Sequence, residues 1–429
     1  MPKNTALNSS FKLIHTSDWH LGQHFMGKSR RAEHQQFLAW LIDTAVAQQI
    51  DAIIVAGDIF DTGSPPSYAR ELYNQFVVDL QRTGVHLIIL GGNHDSVATL
   101  GESQALLACL NTHVIPGACD DRAQQVITLC DGDKLPQAII CAIPFLRPRD
   151  ITLSQSGLSG SQKQQGLQQA IAEHYHSIYQ LAEAQQQQIE QQYGVRLPII
   201  GTGHLTTVGA KSSESVRDIY IGTLEAFPAS AFPPLNYIAL GHIHRPQKVA
   251  GSDHIRYCGS PIPLSFDELS NDKIVLIAEF EGGQFSRVSP CQIPRFQPMH
   301  LIKGDLKTIE AEIATLATQY DASLPAWLDI EVSTQDYLND LQQRIELMID
   351  GLPLEVLLLR RERKLRLQSL ATEAKVTLQE LTPAQVFDKR LELEDWQGEP
   401  QQQKRQRLAV LFDQVVASLN EDANEEAGQ

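Results

Sequence analysis

Seven side chains able to bind a divalent cation recur in five short clusters: Asp18 and His20 in SDWH, Asp58 in GD, Asn93 in GNHD, His204 in GH, and His242 and His244 in GHIH. A set of carboxylate, imidazole and amide oxygen without thiolate suits manganese, iron or zinc better than magnesium alone. Two divalent ions held about 3.5–4 Å apart need a carboxylate to bridge them. Asp58 is the natural bridge, because it stands between the Asp18 and His20 pair and the later group of Asn93, His204 and His242. His242 and His244 are two residues apart, so in an extended segment both point to one side and each can serve one ion. His94, next to Asn93, then points the other way, toward substrate. A protonated imidazole there can donate to a phosphate oxygen or a leaving group, with Asp95 placed to fix its tautomer and raise its pKa. The chemistry this predicts is hydrolysis of a phosphate ester by a water made reactive by the ions' charge.

Each cluster follows a β-rich run: FKLIHTSD, DAIIVAGD, HLIILGGNHD, LPIIGTGH and YIALGHIH, with QAIICAIPF and KIVLIAEF as further strands. In open α/β sheets ligands gather beyond the carboxyl ends of strands, where loops distant in sequence converge. Gly57, Gly92, Gly203 and Gly241 precede the clusters and would allow the tight turns that convergence needs. Between the strands, residues 30–49 set Phe37, Leu38, Leu41, Ile42, Ala45 and Val46 on one helical face. A second helix is expected over about 66–82 and a third over about 100–110. The glutamine-biased AEAQQQQIEQQYG closes a helix that starts near Gln162. The fold class is therefore α/β, with two or three domains for 429 residues.

With 42 % apolar and 20 % charged residues the chain has a globular composition. No leader-like apolar segment opens it and no stretch of about 18 apolar residues occurs, so a cytoplasmic protein that does not span a membrane is expected. Six cysteines without a CxxC pair argue against zinc ribbons and a disulfide framework. A net charge of −16 discourages polyanion binding, so metal ions or a partner must supply positive field if the substrate is nucleic acid.

The order DxH, GD, GNHD, GH, GHxH resembles the calcineurin-like metallophosphoesterases. HTSDWHLGQ, AGDIFDTGSPPSYAR, GNHDSVATL, IPFLRPRD, TGHLTTVGA, RDIYIGTL, YIALGHIHRPQ and YCGSPIPLSFDE resemble, within that superfamily, the SbcD family of nuclease subunits. The resemblance spans residues 11 to about 360 and weakens beyond. It implies a layered α/β sandwich over 1–285, a small α+β capping domain for DNA recognition over 286–362, and a linker with C-terminal helices over 363–429. It places Asp18, His20, Asp58 and His244 around one ion and Asp58, Asn93, His204 and His242 around the other, with His94 acting on the transition state. It further implies two ions per chain, with manganese favoured, double-strand exonuclease and hairpin endonuclease activity in DNA repair, recombination and replication at the nucleoid, and an SbcC-like SMC-type ATPase as partner. It also implies a homodimer formed through the helices near 66–82 and 100–110, where Tyr68, Leu72, Phe76, Leu106 and Leu107 recur at helical spacing. Asp61 departs from the histidine common in archaeal and eukaryotic relatives and reads as a turn-capping carboxylate, with substrate contact the alternative.

Arg147, Arg149, Lys211, Arg217, Arg245 and Arg256 are candidate phosphate contacts, against ordinary solvated charges. Two further readings remain: the same metal centre acting on a nucleotide, small diester or phosphoprotein, and a non-catalytic scaffold. The complete ligand set opposes the scaffold, and the block after 285 opposes a simple phosphatase. In the last segment Leu408, Leu411, Phe412, Val415, Val416 and Leu419 form a helical stripe that requires burial, and a groove on the ATPase is its expected site.

Overall fold

The computed structural model describes residues 10–152, 159–216, 226–333 and 340–361, with 407, 408, 411 and 412. The chain divides into a unit ending at Arg361 and a second unit, Glu362–Gln429. The expected docking helices fall in the second unit and, apart from four residues, outside the described ones; all of RDIYIGTL, with Arg217, also lies outside them.

Two six-stranded sheets build the first unit. In the first, the order is Gln284–Gln292, Ile274–Glu281, Ser10–Thr16, Ala52–Ala56, His86–Leu90, Thr112–Ile115. Its last four strands run parallel, and Ile274–Glu281 lies antiparallel to Ser10–Thr16. In the second, the order is Gln247–Val249, Ser252–Tyr257, Tyr237–Gly241, Ile199–His204, Pro136–Cys141, Val126–Cys130. The strand AIIVA shows why the sheets stack. Its β-branched residues are buried on both faces, Ile53 and Val55 against helices and Ile54 with Ala56 against the second sheet. Continuous apolar runs of this kind are what a parallel strand covered on both sides needs. Helices Arg31–Ala47 and Ser67–Gln81 cover the outer face of the first sheet. Helix Gly160–Tyr193 covers the second, giving a helix–sheet–sheet–helix sandwich.

The 34-residue helix Gly160–Tyr193 opens on a Ser159–Gln162 capping box and stops at Gly194, whose φ of 73° suits a residue without Cβ. Its glutamines are compatible with this fold because Leu167, Ile171, Tyr175, Ile178, Ala182 and Ile189 keep one apolar stripe. The third expected helix is instead two short ones, Val97–Gly101 and Gln104–Ala108. In the first amphipathic helix Val46 is 56 % exposed, while Phe37, Leu38, Leu41 and Ala45 are buried as the pattern predicts.

A third sheet, Met299–Gly304, Ala326–Val332 and Leu354–Arg361, is wholly parallel. Helices Leu306–Ala317 and Leu341–Ile349 cover one face, around Ile302, Ile309, Ile313, Leu328, Ile330 and Ile345. Its other face meets the sandwich through Phe25, Phe266, Met299 and Trp327. The expected boundary at 285/286 falls inside strand Gln284–Gln292, which pairs with Ile274–Glu281 in the first large sheet. Polar Arg287, Ser289 and Gln292 on an exposed edge strand hide that pairing from a hydrophobic pattern.

Candidate metal centre

Every expected ligand sits at or just past the end of a strand, on one crevice where the two large sheets meet. Asp18 and His20 follow Ser10–Thr16, Asp58 follows Ala52–Ala56, Asn93 follows His86–Leu90, His204 ends Ile199–His204, and His242 and His244 follow Tyr237–Gly241. Four of these residues hold left-handed backbone: Asp18 (φ 55°), His20 (47°), Asp58 (52°) and His242 (90°). Such conformations cost about 1–3 kcal/mol each in a residue with a Cβ and persist where surroundings impose them. Here backbone bonds do so, as Asp18 N donates to the Gly57 carbonyl and His20 N to the Asp58 carbonyl, each at 3.0 Å.

The four flanking glycines were expected to serve turns, but only Gly57 has a positive φ (94°). Gly92 serves close approach: a Cβ there would lie 2.1 Å from Asp58 Oδ1 and 2.3 Å from Asp58 N. Any side chain would push the Asn93 loop off Asp58.

The ligating atoms form three overlapping groups, Asp18 with His20 and His244, His20 with Asp58 and His94, and Asp58 with His204 and His242. Asp58 Oδ2 lies 3.7 Å from His20 Nε2 and 3.2 Å from His204 Nε2, so one oxygen reaches ligands of both outer groups. Asn93 Oδ1 lies 2.8 Å from His204 Nε2 and 3.2 Å from His242 Nδ1. His244 Nε2 stands 3.9 Å from Asp18 Oδ1. Asp18, His20, Asp58, His204, His242 and His244 are all buried.

Tautomers decide what this cluster fits. His204 Nδ1 lies 2.9 Å from the Ala56 carbonyl, which only accepts, so Nδ1 carries the hydrogen in the neutral ring. Its Nε2 lone pair then faces two acceptor oxygens, those of Asp58 and Asn93. His20 repeats the arrangement: Nδ1 donates to Asp61 Oδ1 at 3.1 Å, and the buried Nε2 has no hydrogen-bond partner. Lone pairs pointed at one another in a buried site require a cation, and the donor set fits divalent metal ions. In the metal-free chain protons take that place. Burial disfavours charged His204, but Asp58 outweighs it and lifts the ring to about 9. Burial likewise opposes charged His20, while Asp61, Asp58 and Asp18 raise its pKa. Burial alone would raise the Asp58 carboxyl, yet His204 and His20 hold it well below the usual carboxylate range.

His94 N donates to Asp58 Oδ1 at 2.9 Å, and its ring Nδ1 lies 2.7 Å from the Asp61 carbonyl. That carbonyl, and not Asp95, is the partner that sets its tautomer. The Asp95 carboxylate instead accepts backbone N–H groups of Ile59 (3.1 Å), Phe60 (3.0 Å) and Gly92 (2.8 Å), tying the Asp58 and Asn93 loops together. Burial pushes its carboxyl up to about 6. Asp61 was read mainly as a turn cap; its carboxylate orients His20. Glu268, Ser215 and Lys273, behind His244, were not singled out, although Glu268 closes the YCGSPIPLSFDE motif.

The basic candidates separate. Arg147 stacks over Phe145 and donates to the Asp95 carbonyl at 2.9 Å, buttressing the GNHD loop. Arg149 is exposed and near Asp150 (3.5 Å), Lys211 is exposed, Arg245 is half-buried, and Arg256 approaches Asp253 at 3.6 Å. His34 and His174, outside the ligand cluster, are buried.

A helix–sheet–sheet–helix sandwich carrying a dinuclear-type His/Asp/Asn cluster at its strand ends defines a phosphoesterase class. The calcineurin-like phosphoesterase family matches residues 11–246, and the Type 5 capsule protein repressor C-terminal domain matches residues 295–395. The SbcD component of the nuclease SbcCD of Escherichia coli K12 is 54 % identical over 410 residues, 96 % of this chain and all of that protein. Its counterpart in Rhodobacter capsulatus is 36 % identical over 67 % of this chain and 70 % of its own length, and that of Bacillus subtilis 27 % over 76 % and 80 %. The chain belongs to the SbcD family of calcineurin-like phosphoesterases. Among the described residues no helix is long and apolar enough to cross a membrane.

Proposed function

We propose that this chain is the metal-dependent nuclease subunit of an SbcCD-type complex, hydrolysing DNA phosphodiesters at double-strand ends and hairpins with two manganese ions. The observation that carries the metal reading is the buried set of acceptors turned on one another around Asp58. Asp18, His20 and His244 hold one ion, Asn93, His204 and His242 the other, and Asp58 both. When bound, the ions supply Lewis acidity to the phosphate and lower the pKa of water.

The chain's own residues do the rest. The Asp61 carbonyl keeps the hydrogen of His94 on Nδ1, which leaves Nε2 to carry the proton a leaving oxygen needs. Asp95 and Arg147 hold the loop bearing His94 against Asp58 without touching substrate. Arg149, Lys211 and Arg245 serve as outer contacts for the phosphate backbone. The sheet over 299–361 caps the crevice and reads duplex shape, and the segment 363–429 docks an SbcC-like ATPase. A homodimer through Ser67–Gln81 and the short helices after it uses Leu106, which is 66 % exposed; Phe76 and Leu107 are buried in this chain's own core and contribute nothing to that face.

The test is digestion of linear duplex and hairpin DNA by purified chain with manganese, with and without the ATPase partner. Manganese-dependent cutting of both, enhanced by the partner, is expected. Turnover of only nucleotides or phosphopeptides would favour the small-substrate reading.

A further inference from the structure

Behind His244 lies a polar assembly more deeply buried than its composition requires. Glu268 is 1 % exposed and Lys273 6 %, and the two form an ion pair. Lys273 Nζ also donates to Ser260 Oγ at 2.7 Å and to the His244 carbonyl at 3.2 Å. Glu268 Oε1 accepts from the hydroxyls of Ser213 (2.9 Å) and Ser215, and Oε2 from Leu264 N at 3.1 Å. Ser215 Oγ lies 2.6 Å from His244 Nδ1, and Glu268 Oε1 3.3 Å from the same nitrogen.

Hydrogen-bond polarity turns this contact set into a direction. An ionised carboxylate only accepts, so the Ser215 hydroxyl donates to Glu268. Its lone pairs are left for His244, whose Nδ1 must therefore carry the hydrogen. The Nε2 lone pair is fixed toward Asp18 Oδ1, 3.9 Å away. Removing either partner of a buried ion pair strands the other, so both are required to keep the hub in place.

We propose that Glu268 and Lys273, acting through Ser215, are positioning residues for His244 and set the affinity of one of the two metal sites. This rests on the assignment of His244 as a ligand. The hub ties the Ser213–Ser215 loop and the Ser260–Leu264 loop to that ligand, so one carboxylate fixes both ring orientation and tautomer. His20 receives the same service from Asp61 and His204 from the Ala56 carbonyl.

The experiment titrates the metal-stripped full-length chain with manganese(II) by calorimetry, for wild type, Ser215→Ala, Glu268→Gln and Ser213→Ala, alongside thermal unfolding without metal. Wild type is expected to bind two ions. Ser215→Ala and Glu268→Gln should weaken one of them about 10–100-fold and leave the other unchanged. Ser213→Ala, which touches the hub and not His244, should keep both affinities. If Glu268→Gln fails to fold, Ser215→Ala decides. Two wild-type affinities in Ser215→Ala, or equal weakening in Ser213→Ala, would overturn the proposal. Fewer than two ions on the wild-type chain would overturn the ligand assignment beneath it.

Discussion

The crevice and the third sheet are built on the same plan, parallel strands with helices packed on a face, yet they treat their charges in opposite ways. In the third sheet Asp329 pairs with Arg360 across neighbouring strands, and Lys303 with Glu331 at 2.8 Å. Each charge has an opposite one within reach and nothing further is needed. In the crevice Asp58 Oδ2 faces His204 Nε2 at 3.2 Å and Asn93 Oδ1 faces the same nitrogen at 2.8 Å. Among the described residues no lysine or arginine pairs with Asp18 or Asp58. Buried polar groups are normally satisfied by partners in the chain. Where donors and acceptors balance, the polar groups are structural. Where acceptors converge and no fixed cation joins them, the fold has reserved the centre for a ligand.

The comparison breaks most severely at Asp58. Asp58→Asn removes the charge shared by both groups and should lower manganese-dependent DNA cleavage about 10³-fold or more, with circular dichroism unchanged. Near wild-type turnover would show that no bridging carboxylate is needed.

His94→Gln comes next. It should cost about 10²–10⁴ in rate, the usual scale for a lost general acid, while elemental analysis still finds two ions per chain. Loss of an ion would move His94 from substrate to the ligand shell, where its grouping with His20 and Asp58 makes it geometrically eligible.

A smaller effect comes from pH. His204 titrates at about 9 in the metal-free fold against an ordinary 6.5. A raised pKa means its proton stabilises the metal-free chain fully below about pH 6.5, and that contribution fades as pH rises through about 9. A metal must displace this proton, so manganese affinity should climb with pH, by about tenfold per unit for each proton released. Titrations near pH 7 and pH 8 that give one affinity would contradict the assigned proton.

The least effect on the site is expected from the third sheet. Arg360→Met strands the buried Asp329 carboxylate and should destabilise the chain by about 1–3 kcal/mol, less than for a fully buried pair because Arg360 is 37 % exposed. Thermal unfolding reads the loss. Metal content should stay at the wild-type value, and a fall in it would mean that the two regions are not independent.

The sequence by itself determined the strands that lead into the ligands, the residue types at their ends and the reaction class those types can support. These signals are local: AIIVA and YIALG read as buried strands from β-branched and apolar runs of a few residues, and GNHD and GHIH stand out within four. Only the tertiary structure decided which ligands meet. Sheet order puts Ser10–Thr16 beside Ile274–Glu281 and carries His242 to Asp18, pairings across more than 200 residues that no short window contains. The same nonlocality moved Asp95 from the ring of His94 to three backbone amides and gave the His94 tautomer to the Asp61 carbonyl. It also brought Glu268 and Ser215 behind His244. A side chain's type shows which bonds it can make; its partner is fixed only when strands from opposite ends of the domain are laid side by side.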